Sequence, residues 1–428
     1  MKRAQGNSTT ASVLCLPTPE VSEAELRSRR FFVLSLIVAA LLAAGIRWFL
    51  ISFSSYDMRK YLIPWFQTLK SGGGFPALRQ SIGNYSLAYL TLLALGTYVP
   101  LSPITVIKLF SIVFDYAAAA ACAYLIFVLE KSGPRVRGLC KAASLLVLFS
   151  PETILNSALW GQCDVIYTFF CLMSIAFLIQ RRMGLAFCFL GWALAFKLQA
   201  IFFLPLFVFV WLTDRSRRLR YFLLIPGMMA LSGLPAVCMG HPVRDIFGIY
   251  GLQIGWMRVM TAGCPNLYTF APGLDFGSFA SAGVIGTMVI LALMLLWLLR
   301  RHRPLAPYEI VLSAVWCAMV CVCFLPDMHE RYLFPADLLL IVPALGRKRL
   351  GDCICAISSA GVSVLSYLPF LFQFTAVPMW TLALIRLGCL IFVTGELTAP
   401  HMGLRKINTV HDPSISSAPD RVTPKMPG

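Results

Sequence analysis

An all-α fold, a polytopic transmembrane helix bundle of about 10–13 spans, is predicted by three features of the chain. Apolar runs recur from residue 31 to residue 396. Charged residues make up 13% of the 428, where a soluble globular protein carries about 25%. The basic residues that are present gather in the gaps between apolar runs. Hydrophobic residues are 58% of the chain and the mean hydropathy is +0.77. No stretch between the runs is long enough to build a soluble core of its own. The chain therefore divides into an N-terminal tail, 1–30, a transmembrane domain, 31–396, and a Pro-, Ser- and Thr-rich tail, 397–428, that reads as disordered.

The first run, Phe31 to Ile51, follows Arg27, Arg29 and Arg30. It exceeds the roughly 7–15 apolar residues of a cleaved signal peptide and reads as an anchor with a cytoplasmic N-terminus. Further spans are expected at 104–129, 139–158, 164–180, 184–197, 199–212, 219–239, 279–299, 308–325, 332–345, 352–373 and 378–396. The short runs 184–197 and 199–212 read alternatively as a broken or re-entrant pair. The stretch 86–99 is too short to span and is expected as a short helix in the outer interface.

Charge gives the bundle a direction. If the spans alternate, the gaps holding Lys131–Lys141, Arg181–Arg182, Arg215–Arg220, Arg300–Arg303 and Arg347–Arg349 all fall on the cytoplasmic side, with both termini. The opposite loops, 52–103, 159–163, 240–278 and 326–331, carry the polar motifs, so an active site should face away from the cytoplasm. The net charge of +17 is spread over these gaps. No contiguous basic patch interleaved with aromatics is present, which argues against a nucleic-acid partner. Most of the 14 Cys sit in apolar runs without a CxxC pair and read as small packing residues.

Five polar constellations interrupt this pattern. Asp57 follows the first span, and Met58, Tyr61, Leu62, Trp65 and Leu69 after it share one helical face. That spacing predicts an interfacial amphipathic helix, irregular at Pro64 and ended by Gly72–Gly74. Asp57 either caps this helix or presents a carboxylate at the membrane surface. Lys108 and Asp115 lie on one face within a span, as part of a buried ion pair in the bundle or, for Lys108, as a contact to an anionic headgroup. Trp160, Gly161, Gln162 and Asp164 break an apolar region. Asp164 is a helix cap, a sugar-hydroxyl acceptor or a metal ligand. Lys197 and Gln199 stand where two short runs meet, snorkelling or lining a cavity. Asp327, His329, Glu330 and Arg331 cluster at a helix boundary. Arg suits bidentate phosphate capture and His can donate to phosphate or carry a proton. No HExxH or second nearby His supports a metal there.

In this order Tyr56-Asp57, Pro64-Trp65-Phe66, Gly73-Gly74-Phe75, Asn84-Tyr85, Lys108 with Asp115, Trp160-Gly161-Gln162-Cys163-Asp164, Phe196-Lys197-Leu198-Gln199 and Met328-His329-Glu330-Arg331-Tyr332 resemble the GT-C class of glycosyltransferases. The likeness is to bacterial relatives of the second GPI mannosyltransferase, from Asp57 to about Asp337. It implies a GT-C-type bundle with interfacial helices in the first outer loop (52–103). It also implies an inverting hexosyltransferase that takes a sugar, mannose by the family's name, from a polyprenyl-phosphate carrier to an extracytoplasmic glycan, lipid or protein acceptor. Asp57 stands at the position of the catalytic carboxylate. His329, Arg331, Lys197 and Lys108 are candidates for the donor phosphate and its lipid. Asp164, Gln162, Gln199, Glu330, Trp160 and Tyr56 are candidates for substrate. Many members carry two adjacent acids here, and Met58 follows Asp57 instead. A divalent metal is therefore not required by the residues, and Asp164 is left as the second carboxylate. The short cytoplasmic loops point to a bacterial plasma membrane, with lipids as the other partner. Rival readings are a transporter or flippase, which often shows internal repeats not seen here, a lipid-linked oligosaccharide ligase or polymerase, and a non-catalytic scaffold.

Overall fold

The computed structural model describes residues 23–213 and 218–399, and is almost entirely helical. Helix α1 (Glu23–Leu50) begins within the predicted N-terminal tail, ahead of Phe31, and the last helix, α16, runs to Thr398. The rest of both predicted tails, including the segment read as disordered, lies outside the described residues.

After α1 the chain makes a π-helical turn, Met58–Leu62, and passes directly into α2 (Ile63–Ser71). The irregularity predicted at Pro64 is real but sits one turn earlier. Pro64 has no N–H to offer the carbonyl four residues back, so the bonding there is not α-helical. The predicted apolar face forms in part. Met58, Leu62 and Leu69 are buried with Phe66, while Tyr61 and Trp65 are half-buried and Arg59, Lys60 and Lys70 stay exposed. Gly72 ends the helix, and Gly73 and Gly74 take positive φ. The expected short helix follows as α3 (Leu87–Gly96), with Ser86 as its N-cap.

Next come α4 (Pro103–Glu130), α5 (Pro134–Phe149) and α6 (Pro151–Ile154), the last continuing as a π-helical stretch, Leu155–Trp160. The chain bends by 45° between α5 and the stretch beginning at Pro151. Then follow α7 (Asp164–Ile179), α8 (Met183–Phe196), a 3₁₀ segment, Leu198–Phe203, leading into α9 (Leu204–Thr213), α10 (Leu224–Cys238) and α11 (Asp245–Gln253). The remainder is α12 (Phe276–Arg300), α13 (Pro307–Phe324), α14 (Phe334–Gly346), α15 (Leu350–Phe372) and α16 (Met379–Thr398). Two two-residue strands, β1 (Thr261–Ala262) and β2 (Met328–His329), pair in parallel.

Among the described residues seven helices are long and apolar enough to cross a membrane, and the bent α5–Trp160 pair makes eight if it counts as one span. This is the architecture of a multi-pass membrane protein. Five further apolar helices are shorter, among them 164–179, 183–196, 198–213 and 334–346. Such short helices sit where neighbouring protein, rather than lipid, surrounds their ends. Of the most apolar 18-residue windows, that of α13 is 83% buried and that of α1 only 11%, so α13 lies at the centre and α1 at the rim.

The 184–212 region is a hairpin. The chain turns at Lys197, whose backbone is extended, and Phe187 meets Phe207 across the two arms at 4.9 Å between rings. Antiparallel passes of this kind sort the loops to two ends. The loops after α1 and α8 and before α7 and α14 touch one another at the first end. At the opposite end Tyr308 bonds Glu130, Arg135 reaches the Gly346 carbonyl, and Arg347 and Arg349 bond Glu396. The basic gaps gather there, apart from the polar motifs.

Candidate active site

Asp57 is half-buried, and its surroundings are assembled by hydrogen bonds that the local sequence makes available. It does not cap the turn that follows. Ser55 does, its Oγ accepting from the Met58 N–H at 3.2 Å. The Asp57 carboxylate is thereby left for donors from another part of the chain. Trp160 Nε1 donates to its Oδ2 at 3.1 Å and Gln162 Nε2 at 2.8 Å. Both donors are uncharged, and among the described residues no cation pairs with Asp57. A carboxylate held this way is oriented without being neutralised.

Gly161 brings Trp160 and Gln162 to the same oxygen. It reverses the chain at φ +80°, and a Cβ there would stand 2.3 Å from Met58 Cε. The left-handed backbone is what favours glycine here; the Met58 methyl, at the end of a flexible side chain, could give way. The turn is pinned by Ser55 Oγ donating to the Trp160 carbonyl at 3.1 Å and by Ser111 Oγ donating to the Gln162 carbonyl at 2.7 Å. Phe370 of α15 stacks on Trp160 at 4.7 Å and Tyr367 meets it edge-on at 5.5 Å.

Asp164, behind this turn, is fully buried. It opens α7 as its first residue but its side chain does not cap it. Instead Asn156 Nδ2 donates to Oδ2 at 3.0 Å, Lys197 bonds Oδ1, and Arg331 Nε lies 3.3 Å from Oδ2. Arg331 also lies over Trp160, 5.3 Å from the ring centre, and Lys197 lies between the Tyr167 and Tyr332 rings. One carboxylate thus carries two cations, each stacked on aromatics. Burial opposes charge on the Arg331 guanidinium, yet Asp164, Tyr85, Tyr332 and Glu330 hold it well above its ordinary value.

His329 and Arg331 are set by the β1–β2 pairing, which joins Ala262 to His329. Gly263 takes φ +75°, a backbone that favours glycine, and Glu330 Oε2 packs close to it. Glu330 lies 3.7 Å from His329 Nδ1 and 3.6 Å from Arg331 Nη1. Asp327 opens the same loop with φ +62°, and its half-buried carboxyl is pushed up by burial.

A cavity of about 890 Å³ opens beside this assembly. Its polar end carries Lys197, Gln199, His329 and Arg331, with Asn84, Tyr85, Gln253 and Asp327. Its other walls are apolar, from Ile201 and Phe202, Trp256 and Met257, and Phe276, Val284 and Ile285 of α12. Tyr85 joins cavity and carboxylate: it lines the first and donates to Gln162 Oε1 at 3.5 Å.

The predicted residues separate into three groups. Lys197, Gln199, His329 and Arg331 line the cavity, while Asp57, Trp160, Gln162 and Asp164 stand behind its lining, joined to it through Tyr85, Lys197 and Arg331. The others stand elsewhere. Lys108, expected beside a ligand phosphate, is buried, with Nζ donating to the Phe53 carbonyl at 2.6 Å and the Leu50 carbonyl at 3.4 Å. It ties α4 to the end of α1 and so holds the loop of Asp57. It does not pair with Asp115, which takes Arg47 at 2.7 Å and Ser157 at 2.6 Å. Tyr56, expected at substrate, is exposed and its Oη accepts from Lys60 at 2.7 Å, which raises the Lys60 ammonium. Glu330, expected at substrate, turns away from the cavity toward Gly263. The 253–263 segment was not foreseen as part of the site, because its only sequence signal is turn chemistry around Gly263.

Neither a scan against protein-family models nor a search of curated proteins returns a match for this chain.

Proposed function

We propose that the chain is a membrane glycosyltransferase of GT-C type that moves a sugar from a polyprenyl-phosphate carrier to an acceptor hydroxyl. The observation that carries this reading is the pairing of an oriented carboxylate, with no cation on it among the described residues, and a nearby cavity lined by Lys197, His329 and Arg331 beside Asp327 and largely by apolar side chains elsewhere. An amphiphile with an anionic head and a hydrocarbon tail matches such a cavity in both halves. Asp57 takes the proton of the acceptor hydroxyl. That oxygen attacks the anomeric carbon, the bond to phosphate breaks, and the configuration inverts. The leaving phosphate gathers charge, and Arg331, Lys197 and His329 are the groups that stabilise it. Asp164 keeps the two cations in place. Mannose is the sugar the resemblance suggests, and the extracytoplasmic face of a bacterial plasma membrane is where the positive-inside distribution would put the site.

Asp57→Asn tests the reading. Membranes holding wild type or variant are given a labelled polyprenyl-phosphate sugar, and transfer is counted. The variant is expected to lose about 10²- to 10⁴-fold in rate, the usual share of general-base catalysis. Undiminished transfer by the variant removes Asp57 from the chemistry. If wild type transfers no sugar from any such carrier but moves a lipid-linked sugar across the vesicle membrane, the protein is a flippase.

A further inference from the structure

A second cavity, of about 630 Å³, lies far from Asp57, where α1 stands away from α4 and α5. Its floor is apolar: Phe32 and Leu36 of α1, Ala120, Ala123 and Phe127 of α4, and Val136 of α5. Its rim is basic, with Arg137 and Lys141 of α5, and no acidic residue contributes to the lining. Lys141 is held at the mouth by Ser35 Oγ and lies 5.4 Å from the centre of the Phe32 ring. Arg137 is exposed. The other charges near this end, among the described side chains, are Glu23, Arg27 and Arg30 on α1, Glu130 on α4, Lys131 in the connection and Arg135 on α5; Glu23 and Arg27 pair with each other at 3.7 Å. Arg135 is turned to the Gly346 carbonyl and Glu130 to Tyr308, both away from the groove.

The groove lies away from the main fastenings of α1. Its ties to α4 are at the Asp57 end: Arg47 to Asp115, Tyr116 Oη to the Ala40 carbonyl, and Lys108 to the two carbonyls after α1. Toward its N-terminal end the bridge seen among the described residues is Lys141 to Ser35, and the groove opens beside it.

We propose that this groove is a binding site for a phospholipid with an anionic headgroup, its acyl chains against the apolar floor and its phosphate at Arg137 and Lys141. The chemistry selects for charge. A zwitterionic headgroup brings an ammonium toward the same two cations, whereas an anionic one does not. The bound lipid fills the groove and fixes the angle of α1, the helix that leads to Asp57. It acts whatever reaction the Asp57 site performs.

The experiment uses the full chain purified in detergent with phosphatidylglycerol or phosphatidylcholine added, and reads retained lipid by native mass spectrometry. Phosphatidylglycerol is expected to be retained roughly tenfold better, since each basic residue near a headgroup contributes measurably to anionic-lipid binding. Arg137→Gln with Lys141→Gln should abolish that preference. Ala120→Phe fills the floor with the charges intact and should lower retention of both lipids. Equal retention of the two lipids by wild type overturns the proposal, and so does a preference that survives Arg137→Gln with Lys141→Gln, or retention that Ala120→Phe leaves unchanged.

Discussion

At each end of the bundle one carboxylate holds two cations. At the basic end Glu396 bonds Arg347 and Arg349, and Glu309 bonds Arg301 at 2.7 Å and Arg303 at 2.7 Å. At the other end Asp164 holds Lys197 and Arg331. The Glu396 and Asp164 clusters each draw in one more acid: Arg347 also pairs with Asp352, 3.2 Å from its Nε, and Glu330 lies 3.6 Å from Arg331 Nη1. The surroundings differ. Arg349 is 60% exposed and Arg303 38%, so water and salt screen their charges. Lys197 is 8% exposed and Arg331 10%, and both face the large cavity. Their charges are largely withdrawn from water and stand at the cavity wall, with Glu330 as a second acid beside Arg331. The lesson is that the sign of a cluster says less than its burial: the exposed clusters face solvent, and the buried one faces a cavity.

The strongest way to break this contrast is Asp164→Asn. The change keeps the shape but leaves Lys197 without its carboxylate and Arg331 with Glu330 alone, 3.6 Å away; breaking a buried ion pair in this way costs about 3–5 kcal/mol in other proteins. Thermal unfolding of the purified chain is expected to fall accordingly, and sugar transfer with it. A variant as stable as wild type would show that Lys197 and Arg331 are solvated through the cavity, and that Asp164 is not what holds them.

Trp160→Phe sharpens the comparison from the side of Asp57. It removes one donor to the carboxylate and keeps most of the aromatic surface against Phe370 and Arg331. A hydrogen bond to a charged group is worth about 1.5–3 kcal/mol, so transfer should fall roughly 10- to 100-fold while unfolding moves far less than for Asp164→Asn. Loss of stability without loss of transfer would make Trp160 a packing residue only.

Much of this was legible in the residues themselves. The helices follow from apolar runs interrupted by charge, and the twelve runs expected as spans all have helical counterparts, down to the hairpin at Lys197; but among the described residues only seven, or eight with the bent pair, are long and apolar enough to cross a membrane, fewer than the 10–13 spans expected. Asp57, Trp160, Gln162, Asp164, Lys197 and Arg331 were each singled out because a polar residue in an apolar context is costly unless satisfied. Which of them would meet was not legible. Lys108 and Asp115 share a helix face, yet each found its partner on another element, because a buried charge takes whatever the packing brings nearest. Arg47 inside the first run was the one sign of a partner for Asp115. The 253–263 wall escaped notice because backbone pairing, as between β1 and β2, leaves no side-chain signature.

The smallest expected effect is the control that gives the contrast its meaning. Glu396→Gln removes the shared partner of Arg347 and Arg349 at the basic end. Arg347 keeps Asp352, 3.2 Å from its Nε, and Arg349 is exposed to solvent. Partly exposed pairs of this kind contribute about 0–1 kcal/mol. Unfolding should therefore shift by no more than that, and by less still at high salt, where the surface charges are screened. Sugar transfer should be unchanged, since no residue of this cluster approaches the cavity. If Glu396→Gln lowered transfer as far as Asp164→Asn did, the two ends would be coupled through the helices, and burial alone would not explain the difference between the two clusters.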